Sequence, residues 1–213
     1  GSWGIFDEEF LQYSVNIMDK TSKPFLAGIF TLSSHHPYTI PEKYKNKFKD
    51  GKLPIQRTIA YTDYALQQFF DTASQKPWFK NTIFIITADH TSETYTEQYA
   101  TALGSFAVPL LFYAPGDSLI GLDTQIVQQS DIMPSVLHLL NYKDKHVAFG
   151  QNVFEKKYEP FAIQFFNEMF QIILEDYLIQ FDGERIIACY NWKHDTLLKD
   201  NLMQPFPEAA KRH

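Results

Sequence analysis

Two apolar runs, each ending abruptly in polar residues, constrain this chain more than any other feature. Pro24-Phe-Leu-Ala-Gly-Ile-Phe-Thr-Leu32 stops at Ser33-Ser34-His35-His36, and Asn81-Thr-Ile-Phe-Ile-Ile-Thr87 stops at Ala88-Asp89-His90. Continuous runs of this kind predict strands buried on both faces, as in a parallel sheet. A third run, Val108 to Tyr113, is followed by the turn signal Ala114-Pro115-Gly116. Between the first two, Ile55, Ile59, Thr62, Leu66 and Phe69 recur at steps of three and four, with Phe70 beside them. That spacing predicts one buried face of a helix from about Leu53 to Ala73. Strand, helix and strand in this order predict a right-handed crossover.

Further along, Asp131 is placed to cap a helix carrying Met133, Val136, Leu137 and Leu140, with Pro134 in its first turn and Asn141 at its end. Tyr177 to Phe181 and Glu184 to Tyr190 flank Asp182-Gly183, a strong hairpin signal, so an antiparallel pair is expected within a C-terminal subregion spanning 160–205. The Lys-rich stretch Lys43 to Lys52 interleaves Tyr44 and Phe48 with acidic residues and predicts a solvated loop or short helix. The fold class expected is α/β: a mostly parallel sheet flanked by helices, closed by a small antiparallel unit.

Composition narrows the function classes. The chain has 213 residues, of which 45% are hydrophobic and 21% charged, the balance of a soluble globular domain. A formal net charge of −6 without a basic face argues against nucleic acid as a partner. Its apolar runs fall far short of the roughly 20 residues that cross a bilayer. The single cysteine, Cys189, excludes an intrachain disulfide framework, and its hydrophobic strand setting predicts a core residue. Neither a Gly-x-Ser-x-Gly elbow nor a phosphate-cradling glycine loop occurs. Gly1-Ser2 has the look of a cloning remnant, which predicts a piece cut from a longer polypeptide.

Ligands in open parallel sheets bind beyond the carboxyl ends of the strands. Here those ends deliver His35 and His36 from one run and Asp89 and His90 from another. An Asp and a His in sequence offer a hard oxygen and a nitrogen to one cation if the chain turns sharply. Asp at a strand end also starts turns and caps helices, so the dipeptide alone leaves both readings open. In an extended segment successive side chains diverge, so one of His35 and His36 is expected to face the site. His138, His146, His194 and His213 sit in surface or loop contexts.

The ordered set Thr31-Leu-Ser-Ser-His35-His-Pro37-Tyr38, Tyr61-Thr-Asp63-Tyr-Ala-Leu66, Asn81 to His90, and Val108-Pro109-Leu-Leu-Phe-Tyr-Ala-Pro115-Gly116 resembles the sulfatase-like branch of the alkaline phosphatase superfamily. Its phosphoglycerol transferases, similar to lipoteichoic acid synthase, are the closest in pattern. Trp3-Gly4-Ile-Phe-Asp7-Glu8, Ser130-Asp131-Ile-Met-Pro134, Phe149 to Phe154, Tyr190 to Asp195 and Asn201-Leu202 also fit in order, so the resemblance spans nearly the whole chain. It implies a metal-dependent enzyme that transfers or hydrolyses phosphate or sulfate esters, possessing an anionic substrate that is lipid- or glycan-linked. Asp89 and His90 match the paired metal ligands. His35 matches the histidine that contacts the transferred group, with His36 beside it as a substrate-binding residue. The metal implied is divalent: manganese, with magnesium, zinc or calcium in relatives.

The family also forms a covalent intermediate on a Thr, Ser or modified Cys in a loop after an earlier strand. No such strand and acidic turn precede Trp3, and no Cys-x-Pro-x-Arg or Ser-x-Pro-x-Arg signature occurs. Residues 1–213 are therefore expected to be the C-terminal portion of a catalytic domain, inactive alone, whose partner is the missing N-terminal part of the same polypeptide. The resemblance places the parent in the bacterial envelope, with an extracytoplasmic catalytic domain. Two alternatives stay open. In a true sulfatase a lysine is expected soon after the metal pair, and Thr91 to Gly104 contains none. In an inactive module the fold would persist without the chemistry.

Overall fold

The computed structural model describes residues 1–116 and 119–203. They form two compact units, Gly1–Ile120 and Gly121–His213. His213 and the last two positions of the expected 160–205 subregion lie outside the described residues.

In the unit Gly1–Ile120, helix α1 (Asp7–Lys20) packs on helix α2 (Pro54–Ala73). Leu11, Val15 and Met18 line the inner face of α1 at helical spacing, its first turn holds Asp7, Glu8 and Glu9, and Lys20 lies in the last turn, each charge complementing the helix dipole. Pro54 opens α2, where its missing N–H costs nothing, and the Gln56 side chain reaches back to accept the Leu53 N–H at 3.2 Å. Leu11, Val15, Met18, Ala65, Phe69, Ala73, Trp78 and Phe79 form the core.

Of the expected α2 stripe, Ile55 and Phe69 are buried and Leu66 and Phe70 pack against the core, but Ile59 is outside it. Ile55, Thr58, Tyr61, Ala65, Phe69 and Ala73 are buried, whereas Ile59 is 51% exposed. Ala65 and Ala73 are fully buried in the core that holds Leu11, Val15 and Met18 of α1.

The three apolar runs also depart from the expected parallel sheet. β1 (Phe84–Thr87) and β2 (Leu110–Tyr113) pair antiparallel, Phe84 opposite Tyr113 and Thr87 opposite Leu110. Residues 24–32 join no ladder among the described residues. Phe25 and Ile29 pack on the helical core, while Leu26 and Phe30 on the opposite face are 98% and 63% exposed. The expected strand–helix–strand crossover is therefore absent among the described residues, and burial on both faces fails because only one face meets the helices.

In the second unit, α3 (Ile132–Leu139) follows a single 3-10 turn, Gln129–Asp131. Asp131 stands at the N-cap position, yet its carboxylate makes no cap bond to α3. It accepts the N–H groups of Gln128 (2.9 Å) and Gln151 (2.7 Å) and the Tyr158 hydroxyl (3.0 Å) instead. Met133 is exposed on α3, and Leu140, expected within the helix, is its exposed C-cap residue. A four-stranded antiparallel meander follows: β3 (Phe161–Phe166), β4 (Met169–Leu174), β5 (Tyr177–Phe181) and β6 (Ile186–Asn191). The expected Asp182-Gly183 hairpin joins β5 to β6, with Asp182 Oδ1 accepting the Glu184 and Arg185 N–H groups. Cys189 is buried on β6, as expected of a core thiol, and burial raises its pKa.

Candidate functional site

The Leu32–Tyr38 segment folds back on itself at the end of the first apolar run. The His35 N–H donates to the Leu32 carbonyl (3.1 Å), and the Tyr38 N–H donates to the His35 carbonyl (3.0 Å). The His36–Pro37 peptide is cis, and Tyr38 adopts a φ of 60°. His35 Nδ1 lies 2.8 Å from the His36 carbonyl. A carbonyl only accepts, so Nδ1 carries the proton and Nε2 the lone pair. The two histidines have different neighbours: the His35 ring meets Trp3 edge to face at 4.7 Å, and the His36 ring meets Tyr38 at 5.7 Å. Both residues are exposed.

Asp89 and His90 follow β1 directly. The His90 N–H donates to Asp89 Oδ1 at 2.9 Å, a tight local turn that puts both side chains on one side, with Asp89 Oδ2 3.5 Å from His90 Nε2. His90 Nδ1 is 2.6 Å from the Thr91 carbonyl and must donate to it, which leaves Nε2 as the lone-pair nitrogen. A second hydrogen bond of this kind is what orients a metal-ligating imidazole. The Thr91 hydroxyl in turn donates to the Ser105 carbonyl, anchoring the loop.

Tyr38 joins the two loops. Its hydroxyl lies 3.3 Å from Ser92 Oγ, two residues past His90. The structure thus brings the His35 turn and the Asp89–His90 loop to one region of the unit. Nearby, Lys52 Nζ sits 4.5 Å over the Tyr95 ring, placing a cation against the loop that lacks a lysine of its own.

The donor set suits a divalent ion in part. Metal bonds of about 2.0–2.2 Å from oxygen and nitrogen ligands can span donors 3.5 Å apart. Among the described residues, no group of three or more His, Cys, Asp or Glu could complete a metal site.

Four residues to which the sequence assigned no role also contribute to this region. Asp7 is buried and binds the base of the His35 turn, Thr62 donates to Asp7, and Tyr38 and Ser92 bridge the loops. Asp7, Tyr38 and Thr62 stand within the ordered motifs quoted above, whereas Ser92 has no such signal.

Residues 1–142 match the family model described as Sulfatase. The chain belongs to the sulfatase family. All four expected site residues, His35, His36, Asp89 and His90, lie inside the matched span of this sulfatase-family chain. It is 28% identical over 231 aligned residues to the lipoteichoic acid synthase-like protein YvgJ of Bacillus subtilis, covering 98% of this chain and 36% of YvgJ. It is 29% identical over 171 residues to lipoteichoic acid synthase of Staphylococcus aureus, covering 72% of this chain and 26% of the synthase. The chain therefore spans about a third of the length of these relatives or less.

Solved structures agree on the fold. A protein in the alkaline phosphatase superfamily from Vibrio parahaemolyticus superposes with a TM-score of 0.81 at 24% identity, covering 99% of this chain and 52% of that one. The lipoteichoic acid synthase LtaP from Listeria monocytogenes gives 0.73 at 20% identity, covering 88% and 52%. The sulfatase-family chain thus shares its fold with these neighbours over about half of their length.

Proposed function

We propose that this chain is the C-terminal part of the catalytic domain of a phosphoglycerol transferase-like enzyme, which transfers or hydrolyses a phosphate ester through a covalent intermediate on a Thr or Ser supplied by preceding residues. The observation that carries the reading is the Asp89–His90 pair: two donors 3.5 Å apart directly after a strand, with His90 held through Nδ1. The names of YvgJ and the Staphylococcus aureus synthase support phosphate over sulfate. So does the absence of lysine from Thr91 to Gly104.

Asp89 and His90 would hold one divalent cation, manganese or else magnesium, zinc or calcium, together with ligands from outside the described residues. Bound there, the ion would neutralise the ester and stabilise the charge that develops in the transition state. With the His35 Nδ1–H committed to the His36 carbonyl, Nε2 is the ring nitrogen left to meet the substrate. In its protonated form it can donate to a non-bridging or leaving oxygen of the ester and give up that proton as the bond breaks. His36, turned toward Tyr38, flanks the same substrate. The substrate is an anionic ester carried on a lipid or glycan, met at the outer face of a bacterial membrane. No described helix is long and apolar enough to cross a membrane, so on this reading the anchor lies in another part of the parent.

The test is turnover by the intact protein with manganese, using a phosphodiester and a sulfate ester side by side. A metal contribution of several kcal/mol corresponds to roughly a thousandfold in rate, so Asp89→Ala and His90→Ala should each lose about that much phosphodiester turnover. The 213-residue chain alone should turn over neither ester. Preference for the sulfate ester would shift the reading to a true sulfatase, and indifference to both substitutions would leave only the inactive module.

A further inference from the structure

We infer that the segment Trp3–Asp7 positions His35, with Asp7 fixing the root of its turn and Trp3 its tip. This rests on the reading of His35 as the residue that meets the transferred group. Asp7 is fully buried, and its hydrogen bonds reach two other segments. Oδ1 accepts the N–H groups of Leu32 (3.1 Å) and Ser33 (3.0 Å), and Oδ2 accepts the Thr62 hydroxyl (2.7 Å). The Asp7 N–H donates to Ser33 Oγ at 3.0 Å, so Asp7 and Ser33 exchange two bonds. That reciprocal pair sets the direction of the backbone two residues before His35. Helix capping alone would be served by an exposed hydroxyl. A buried carboxylate with two backbone amides on one oxygen instead uses charge-assisted bonds to lock the turn against α2.

At the tip, the Trp3 indole N–H donates to the His36 carbonyl, the same oxygen that takes the His35 Nδ1 proton. A carbonyl has two lone pairs and can serve both donors. The indole ring also meets the His35 ring at 4.7 Å and 62°. Trp3 is 63% exposed, so burial of its apolar surface contributes little to its placement, and its directed contacts to the turn account for it better. The combined effect is a His35 ring with one tautomer, one carbonyl partner and one aromatic wall. A reacting group must be held to within about 0.5 Å, and misplacement on the order of 1 Å costs roughly a hundredfold in rate.

Two measurements test the inference. In the intact protein with manganese and a phosphodiester, Asp7→Ala should lower kcat by about 30- to 100-fold, with KM and the half-activating manganese concentration unchanged within about threefold. Asp7→Asn keeps an Oδ1 acceptor for both amides and should recover most of the loss, and Trp3→Phe should cost a few-fold. In a His35→Ala background, Asp7→Ala should add almost nothing, because the two residues act through one ring. An equal further loss in that background, or an unchanged kcat for Asp7→Ala, overturns the inference. Should Asp7→Ala fail to fold, an unchanged kcat in Trp3→Phe overturns it instead. Independently of turnover, two-bond proton–nitrogen spectra of the 213-residue chain with labelled histidine should show His35 protonated at Nδ1, and Trp3→Phe should mix its tautomers. An unaltered His35 signal in Trp3→Phe overturns the inference even if the wild type turns over no ester, a result that by itself would sink only the functional reading.

Discussion

Two buried aspartates, one in each compact unit, make the same kind of junction with different consequences. Asp7 joins the start of α1 to the base of the His35 turn and to α2, through bonds that reach 25 to 55 residues along the chain. Asp131 joins the start of α3 to Gln151 and Tyr158, 20 and 27 residues away. Around Asp131 the packing is tight: a Cβ at Gly150 would lie 2.2 Å from the Ser130 backbone, and Ser135 takes the Val153 N–H at 3.1 Å. Burial, and then the Asp131 carboxylate beside it, push the Tyr158 pKa up, so this phenol stays a proton donor to Asp131. Around Asp7 the bonds end instead on a turn whose outer side, at His35 and His36, is open to solvent. One carboxylate joins buried segments of a scaffold, whereas the other places its acceptors on the backbone that presents His35.

That contrast can be broken most directly by removing each carboxylate. A buried N–H left without a partner costs about 1–3 kcal/mol, and each aspartate satisfies two, so Asp7→Ala and Asp131→Ala should each lose about 3 kcal/mol in urea unfolding followed by circular dichroism. Equal stability loss with a kcat defect confined to Asp7→Ala would sharpen the comparison. A matching kcat defect in Asp131→Ala would erase it.

Next in size are two glycines of the second unit, which separate close approach from backbone strain. Gly150→Ala forces overpacking against backbone and should cost about 2–3 kcal/mol. Gly183, at a φ of 101° with open space around it, should cost only about 1 kcal/mol as Ala. Thermal melts of both variants would rank them, and the reverse order would contradict the packing described around Asp131.

The smallest effect concerns Glu8, the neighbour of Asp7. Burial would raise its pKa, but hydrogen bonds from Lys43 and Tyr44 outweigh it and hold the carboxyl below its ordinary value of 4.5. A depressed folded value means that the contribution is present above the unfolded pKa and is lost as pH falls through the folded one. Lys43→Ala should therefore cost less than ~1 kcal/mol near neutrality and flatten the acid limb of stability below about pH 4.5. Urea midpoints measured across that limb check the sign.

Legibility differed between the units for the same physical reason. The β5–β6 hairpin announces itself because Asp182-Gly183 satisfies its turn locally: the Asp182 carboxylate takes two following N–H groups, and Gly183 accepts a positive φ. The β3–β4 hairpin is harder to see, since Asn167-Glu168 makes its turn with positive φ at both residues and no glycine marks it. In the first unit the length of α2 and the strand before Asp89 are legible from periodicity and from the abrupt polar stop. Nothing local shows that Tyr38 reaches Ser92, or that Asp7 takes the amides of Leu32 and Ser33.

By itself, the amino-acid order determined that α2 would be a helix, that a hairpin would turn at Asp182-Gly183, that Asp89 and His90 would arrive together at a strand end, and that the whole would resemble the sulfatase-like branch. Each of these depends on residues within one turn or one strand, or on an ordered set of short motifs. Tertiary structure decided that Ile59 of α2 stays outside the core, that β1 and β2 pair antiparallel, that Pro24–Leu32 packs on one face only, and that a buried carboxylate holds the His35 turn. Those outcomes depend on which distant groups meet, and a buried polar atom takes whichever partner the packed chain brings within hydrogen-bond reach.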